Sequence, residues 1–210
     1  MTKKKKTSLE LSRLKMLMDV VYGIVIWRLF LLLPRPQEED AGKWDSVADM
    51  IASEWASYIL PFLALLIVTV YWVQNNELFG CLESTDSIHT GISIFQIFFL
   101  LLFLHAIGVG LVFEAAADSR ILESGTVFLV GAFSYWGWRY AMDNGLVSRD
   151  VPINKAAQLR QQNFAEPVTA ITTIPFAFIG PIAWELSWFL YPVIRKYFYN
   201  KSEAINSIVE

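Results

Sequence analysis

Long uncharged runs separated by short charged segments dominate the chain. A bilayer-crossing helix needs about 20 mostly apolar residues, so each run reads as a candidate span. The first lies at about 18–33, behind a charged helical lead-in that starts near Ser8 or Ser12. An acidic loop follows, with Glu38, Glu39, Asp40, Asp45, Asp49 and Glu54 against Arg35 and Lys43, and with room for a short amphipathic helix over Ser46 to Trp55. The second span falls at about 56–76, the third at about 90–113, and the fourth at about 125–142 with Arg139 near its end. The last apolar region, Pro167 to Phe198, would be about 45 Å long as one helix, against a hydrocarbon core of roughly 30 Å. Ile179-Gly180-Pro181 divides it, because Gly suits a helix C-cap and Pro a first helical turn. This gives a fifth span at about 164–179, led in by an amphipathic stretch from Ala156, and a sixth at about 182–198. The predicted fold is an all-α membrane protein, a single six-helix transmembrane domain over residues 1–210.

Composition supports that class. Hydrophobic residues make up 55% of the 210, charged residues 18%, and mean hydropathy is +0.42, more apolar than a soluble domain of this size carries. Aromatic residues, at 15%, crowd near the ends of the apolar runs, as rings anchored at a lipid–water boundary do. One Cys excludes an intrachain disulfide framework and a multi-cysteine zinc site. With two His and no nucleotide-binding loop, zinc signature or nucleophile motif, a catalytic reading has no residues to stand on. No metal, cofactor or nucleic-acid partner is expected.

The placement of charge sets the expected orientation. Formal net charge is -3, yet Lys3, Lys4, Lys5, Lys6, Arg13 and Lys15 crowd the first fifteen residues against Glu10. The following apolar stretch contains Arg28 and lacks a small-residue cleavage site before Pro34-Arg35-Pro36, so it reads as an uncleaved first span. With six spans, the basic N-tail shares the cytoplasmic side with Arg149, Lys155, Arg160, Arg195, Lys196 and Lys201, leaving Arg35, Lys43 and Arg120 outside. Five spans would move the last three cytoplasmic cations outward, against the positive-inside rule. Both termini are therefore expected in the cytoplasm, although the loop from Glu77 to Asp86 carries no Lys or Arg.

Ionisable groups inside spans are costly and are the first functional candidates. Asp19, Arg28, His105, Arg139 and Glu185 qualify. Arg139 can extend to the headgroups from the inner end of its helix. Arg28 and Glu185 lie at similar depths, roughly 9 Å and 6 Å below the outer end, which permits an intramembrane ion pair. The competing reading makes Arg28 a pore-lining cation, and both stay open, with repulsion among four guanidinium groups favouring the pair. His105, about 12 Å deep, fits a neutral hydrogen-bonded side chain or a proton sensor. On the first helix, Arg13, Leu17, Val20, Ile24, Arg28 and Leu31 fall within about 40° of one line, with Asp19, Tyr22 and Ile26 on the other side.

The run Arg13-Leu14-Lys15-Met16-Leu17-Met18-Asp19 resembles a degenerate form of the Arg-x-x-x-Phe-Ser-Asp signature that opens the first helix of the transmembrane protein 175 family of lysosomal and prokaryotic potassium channels. Tyr71-Trp72-Val73-Gln74-Asn75-Asn76-Glu77-Leu78-Phe79 is similar to that family's Tyr-Trp-x-x-His-x-x-Leu-Phe, with Asn75 at the His position. The specific likeness covers about twenty residues, while the layout of six spans, basic N-tail, acidic loop and closing Gly-Pro hairpin agrees along the whole chain. The resemblance implies a homotetramer in a prokaryotic plasma membrane that conducts potassium along its first helices, through rings of bulky aliphatic side chains. By position it implies a constriction at Ile24, with one-turn neighbours Arg28 and Leu31. It also implies that Arg13, Asp19, Trp72 and Asn75 form a polar network anchoring the first helix to the second. Three departures stand out. Phe-Ser is Leu17-Met18, Asn75 cannot titrate, and Arg28 on the stripe would repel cations. The expected function is a potassium-selective, homotetrameric channel. The alternatives are a non-conducting oligomeric membrane protein of the same fold, or a homologue conducting anions or protons through Arg28 or His105.

Overall fold

The computed structural model describes residues 3–37, 40, 42–113 and 116–209, with side chains described for 10–37, 40, 42–55, 57–113 and 116–200. Glu38, Glu39 and the side chains of Lys3 to Lys6 and Lys201 lie outside the described residues. Among these residues the regular structure is helical, apart from one isolated antiparallel bridge between Leu82 and Val147.

Helix α1, Lys3–Phe30, is continuous through the charged lead-in and the first apolar run. Its end tightens, with Leu32 N–H bonding Leu29 O at 3.0 Å and the Arg35 guanidinium covering Leu31 O at 3.1 Å, before Pro34 and Pro36 bar continuation. Helix α2, Val47–Gly80, is capped by the Ser46 hydroxyl, which accepts from Asp49 N–H at 3.1 Å. The sequence led us to expect a short amphipathic helix over Ser46 to Trp55 apart from the second span. The structure joins the two into one rod about 51 Å long, with Pro61 inside it. No residue between Trp55 and Ser57 terminates a helix, so the turns continue.

Helix α3, Ser87–Phe113, starts under the Asp86 carboxylate, which accepts from His89 N–H at 2.8 Å. Helix α4, Ala117–Asp143, begins eight residues before the expected fourth span, because Arg120 and Glu123 in its first turns are buried within the chain. Hydropathy discards such charged turns. The expected amphipathic lead-in is α5, Ile153–Asn163, and it breaks at Phe164 into α6, Ala165–Ala177. At Gly180 φ is +152°, a conformation open to glycine, and Pro181 starts α7, Pro181–Ser187. A 3-10 turn over Trp188–Leu190 leads into α8, Tyr191–Val209.

Among the described residues two stretches, Ser57–Gly80 and Ser87–Phe113, are long and apolar enough on their own to cross a bilayer. The other helices either carry charged residues or are broken into shorter pieces. The core centres on α3, α4 and α6, with α1 paired to α2 and α5 to α8. Leu100, Phe103 and Ile107 of α3 belong to it with Val127 and Val130 of α4 and Ala170 of α6.

Gly131 permits the approach of α4 and α6, since a Cβ there would stand 2.8 Å from Glu166 Cβ and 2.9 Å from Pro167 Cδ. Small residues allow such backbone proximity between membrane helices. Gly131→Ala should therefore cost about 1–3 kcal/mol through overpacking and lower the thermal midpoint in detergent by several degrees. Gly125→Ala, which meets open space, should cost nothing. Equal midpoints for the two variants would show that the helices can separate freely.

Candidate ion pathway

Helix α1 has one face committed to its own chain and one face left uncovered. Leu14, Met18, Tyr22, Val25 and Leu29 are buried. Leu17, Val20 and Ile24 stay exposed, Ile24 at 50%, and Arg13 and Arg28 share their exposure. Leu31 stands one residue beyond the helix, partly buried, and keeps the helical register because its N–H bonds Trp27 O at 3.1 Å. The uncovered strip is thus the line of side chains drawn from the 100° wheel.

Two polar layers hold the buried face. In the first, Trp72 Nε1 donates to Asp19 Oδ1 at 3.0 Å. The Asn76 amide completes the ring, its nitrogen donating to Asp19 Oδ1 at 3.0 Å and its oxygen accepting from the same indole at 3.0 Å. In the second, Gln96 Nε2 of α3 donates to Tyr22 Oη at 3.4 Å and to Asn75 Oδ1 at 3.3 Å. The expected network of Arg13, Asp19, Trp72 and Asn75 is therefore divided. Asp19 meets Trp72, but Asn76 takes the place given to Asn75, which turns to α3, and exposed Arg13 joins neither layer. The i,i+4 spacing of Trp72 and Asn76 puts both on one helix face, a signal present in the sequence.

The expected pair of Arg28 and Glu185 is not formed. Among the described residues Arg28 has no ion-pair partner, and the charge that faces Glu185 is Arg120 of α4. The cause is the packing: α1 lies against α2 and α3, whereas Glu185 on α7 is turned toward the first turns of α4. Arg28 lies instead in a groove of about 480 Å³ with His105, between Leu32 of the α1 end and Leu101, Leu104 and Val112 of α3. His105 is exposed and has no hydrogen-bond partner among the described residues, so the hydrogen-bonded state expected for it is absent within one chain. Arg139 is exposed beside Asp143 at 3.7 Å.

A further polar cluster, around Glu166 at the start of the expected fifth span, escaped the sequence reading. The chain buries Glu166 to 2% exposure at the start of α6. There the Gln74 amide nitrogen donates to Glu166 Oε1, and its oxygen accepts from the Tyr191 hydroxyl and from Arg195 Nη1 at 3.2 Å. Arg195 Nη2 also donates to Gln162 Oε1 at 3.3 Å. Gln74 of α2 is joined there to α5, α6 and α8, which lie far along the chain, so no local pattern announces the cluster.

Residues 13–103 match the family model described as "TMEM175: Endosomal/lysosomal potassium channel TMEM175". The fold matches the crystal structure of a lysosomal potassium-selective channel TMEM175 homolog from Chamaesiphon Minutus, with a TM-score of 0.70 at 18% identity over 92% of this chain and 98% of that one. Over residues 13–103 the chain is similar to the TMEM175 family. A variant of the potassium channel MtTMEM175, in complex with a nanobody–MBP fusion protein, matches with a TM-score of 0.54 at 15% identity over 94% of this chain and 92% of that one. No curated protein sequence matches significantly. The likeness to this family and the two long apolar helices support an integral membrane protein. The matched segment contains α1 from Arg13 onward, all of α2 and most of α3, hence both polar layers that hold α1.

A double-mutant cycle on the first layer checks its role. Asp19→Ala and Trp72→Phe should each lower the thermal midpoint in detergent, and the pair should show a coupling of about 1 kcal/mol. Strictly additive losses would mean that the indole and the carboxylate act apart.

Proposed function

We propose that the chain is one subunit of a homotetrameric, potassium-selective channel whose first helices line a shared axis. The observation that carries this reading is the uncovered face of α1: a helix fixed on one side by two polar layers leaves Leu17, Val20 and Ile24 exposed among the described residues. The similarity of residues 13–103 to a family described as potassium channels supports the ion. In the tetramer, Ile24 forms an aliphatic constriction with Leu31 above it. Such rings gate by dewetting, and an ion must shed water to pass, which favours potassium over the more strongly hydrated sodium. Six spans with both termini cytoplasmic complete the proposal, resting on the basic residues of the N-tail, the Arg149 to Arg160 segment and the C-terminal end.

A second reading, anion conduction, is favoured by one observation: Arg28 shares the uncovered side of α1 and has no counter-charge among the described residues. A unit charge about 8 Å from a passing cation opposes it by about 2 kcal/mol at an effective dielectric of about 20. Purified protein in planar bilayers under potassium, sodium and chloride gradients separates the readings by reversal potential. Currents reversing near the potassium potential are expected, with Arg28→Leu raising potassium conductance and Ile24→Ala lowering the preference over sodium. Reversal at the chloride potential, abolished by Arg28→Leu, would replace the potassium assignment with the anion reading. Silent bilayers from an intact tetramer would leave a non-conducting family member.

Orientation has its own test. Burial pushes the Cys81 thiol pKa up and keeps it poorly reactive, and Cys81→Ala removes it altogether. In that background Ser207→Cys should resist an impermeant maleimide applied to intact cells and react after lysis. Labelling from outside would place the C-terminus there and cancel one span.

A further inference from the structure

A groove of about 630 Å³ lies between α2 and α8, away from the uncovered strip of α1. Its walls are apolar, with Leu63, Leu66, Ile67 and Val70 on one side and Trp188 and Phe189 on the other. Along α2 it follows roughly eight residues, about 12 Å of helix, and it ends at Tyr191, Arg195, Lys196 and Tyr199. One end is therefore oily and the other cationic. The two cations are unlike. Arg195 is partly buried and tied to Gln162 and Gln74, so it forms a fixed floor of positive charge. Lys196 is exposed and has no partner among the described residues. Tyrosines at this level fit a ring at the lipid–water boundary.

We infer that this groove is a binding site for an anionic phospholipid, which lays an acyl chain between α2 and α8 and sets its phosphate against Lys196 and Arg195. Charge complementarity selects this occupant: a groove for neutral lipid alone needs no cations, and basic pockets at the ends of membrane helices suit acidic headgroups. Desolvating the apolar walls against a chain supplies the affinity, and the cations supply the preference among headgroups. The inference requires only that the protein is embedded in a bilayer. It stands or falls independently of conduction and of which ion passes.

Native mass spectrometry of the detergent-solubilised oligomer, titrated with phosphatidylglycerol or phosphatidylcholine of matched chains, tests it. The oligomer should retain phosphatidylglycerol in preference, and Lys196→Gln should weaken that retention about fivefold, the effect of one basic residue at an anionic lipid surface. Arg149→Gln, an exposed cation on the loop before α5, should leave it unchanged. Leu66→Trp, which fills the apolar end, should reduce retention of both lipids while the oligomer persists. Equal retention of the two lipids, or a loss with Arg149→Gln as large as with Lys196→Gln, would overturn the site. Dissociation of the oligomer by Leu66→Trp would overturn it as well, by showing that a second copy of the chain fills the groove.

Discussion

Polar side chains enclosed by membrane helices have no water to bond, so they must bond one another, and the arrangement of this bundle follows from that constraint. Asp19 is satisfied by Trp72 and Asn76, Tyr22 and Asn75 by Gln96, and Glu166 by Gln74. Each bond crosses from one helix to another and fixes their relative rotation. Apolar contacts alone would do this poorly, because lipid tails are as apolar as leucine and give two helices little reason to choose one face over another. The rotation of α1 is the functional consequence. With Asp19 and Tyr22 turned inward, the 100° advance per residue turns Val20 and Ile24 outward.

The same constraint explains the unusual exposure of large apolar residues. Trp27, Phe62, Phe95, Phe98, Phe178 and Phe189 are all more than half exposed. In water such a surface would aggregate. In a bilayer it is the ordinary exterior, and polar groups collect inside. Arg120 and Glu123 of α4 sit within the chain, and the Glu123 carboxylate occupies the space that a side chain at Gly110 would need. Charge at the start of α4 is thus part of the interior packing, which is why a hydropathy window places the helix too late.

Arg28 shows how a depth argument can mislead. Distance from the outer end of the helix, a coordinate along the membrane normal, matches Arg28 with Glu185. Pairing also needs the two side chains to face each other in the membrane plane, and that is decided by which helices are neighbours. Glu185 finds Arg120. Arg28 is left on the uncovered side with His105 in the groove beside it, which makes the charge of this strip the main chemical question about the proposed pathway.

The sequence by itself determined the helical class, the membrane setting, the break at Gly180-Pro181, the two faces of α1 and the family likeness. Each depends on interactions short in sequence: hydropathy over about twenty residues, the φ preferences of Gly and Pro, and a fixed angular advance. The link between Asp19 and Trp72 was legible as well, through the family's motif spacing. Tertiary structure decided which polar group met which. It gave Asn76 the place expected for Asn75, separated Arg28 from Glu185, joined Glu166 to Gln74, and assembled the groove between α2 and α8 from segments more than a hundred residues apart. Those outcomes depend on helix neighbours and rotations, and these are set by all the buried polar bonds and close contacts, such as that at Gly131, acting together. No local pattern in the chain encodes that sum.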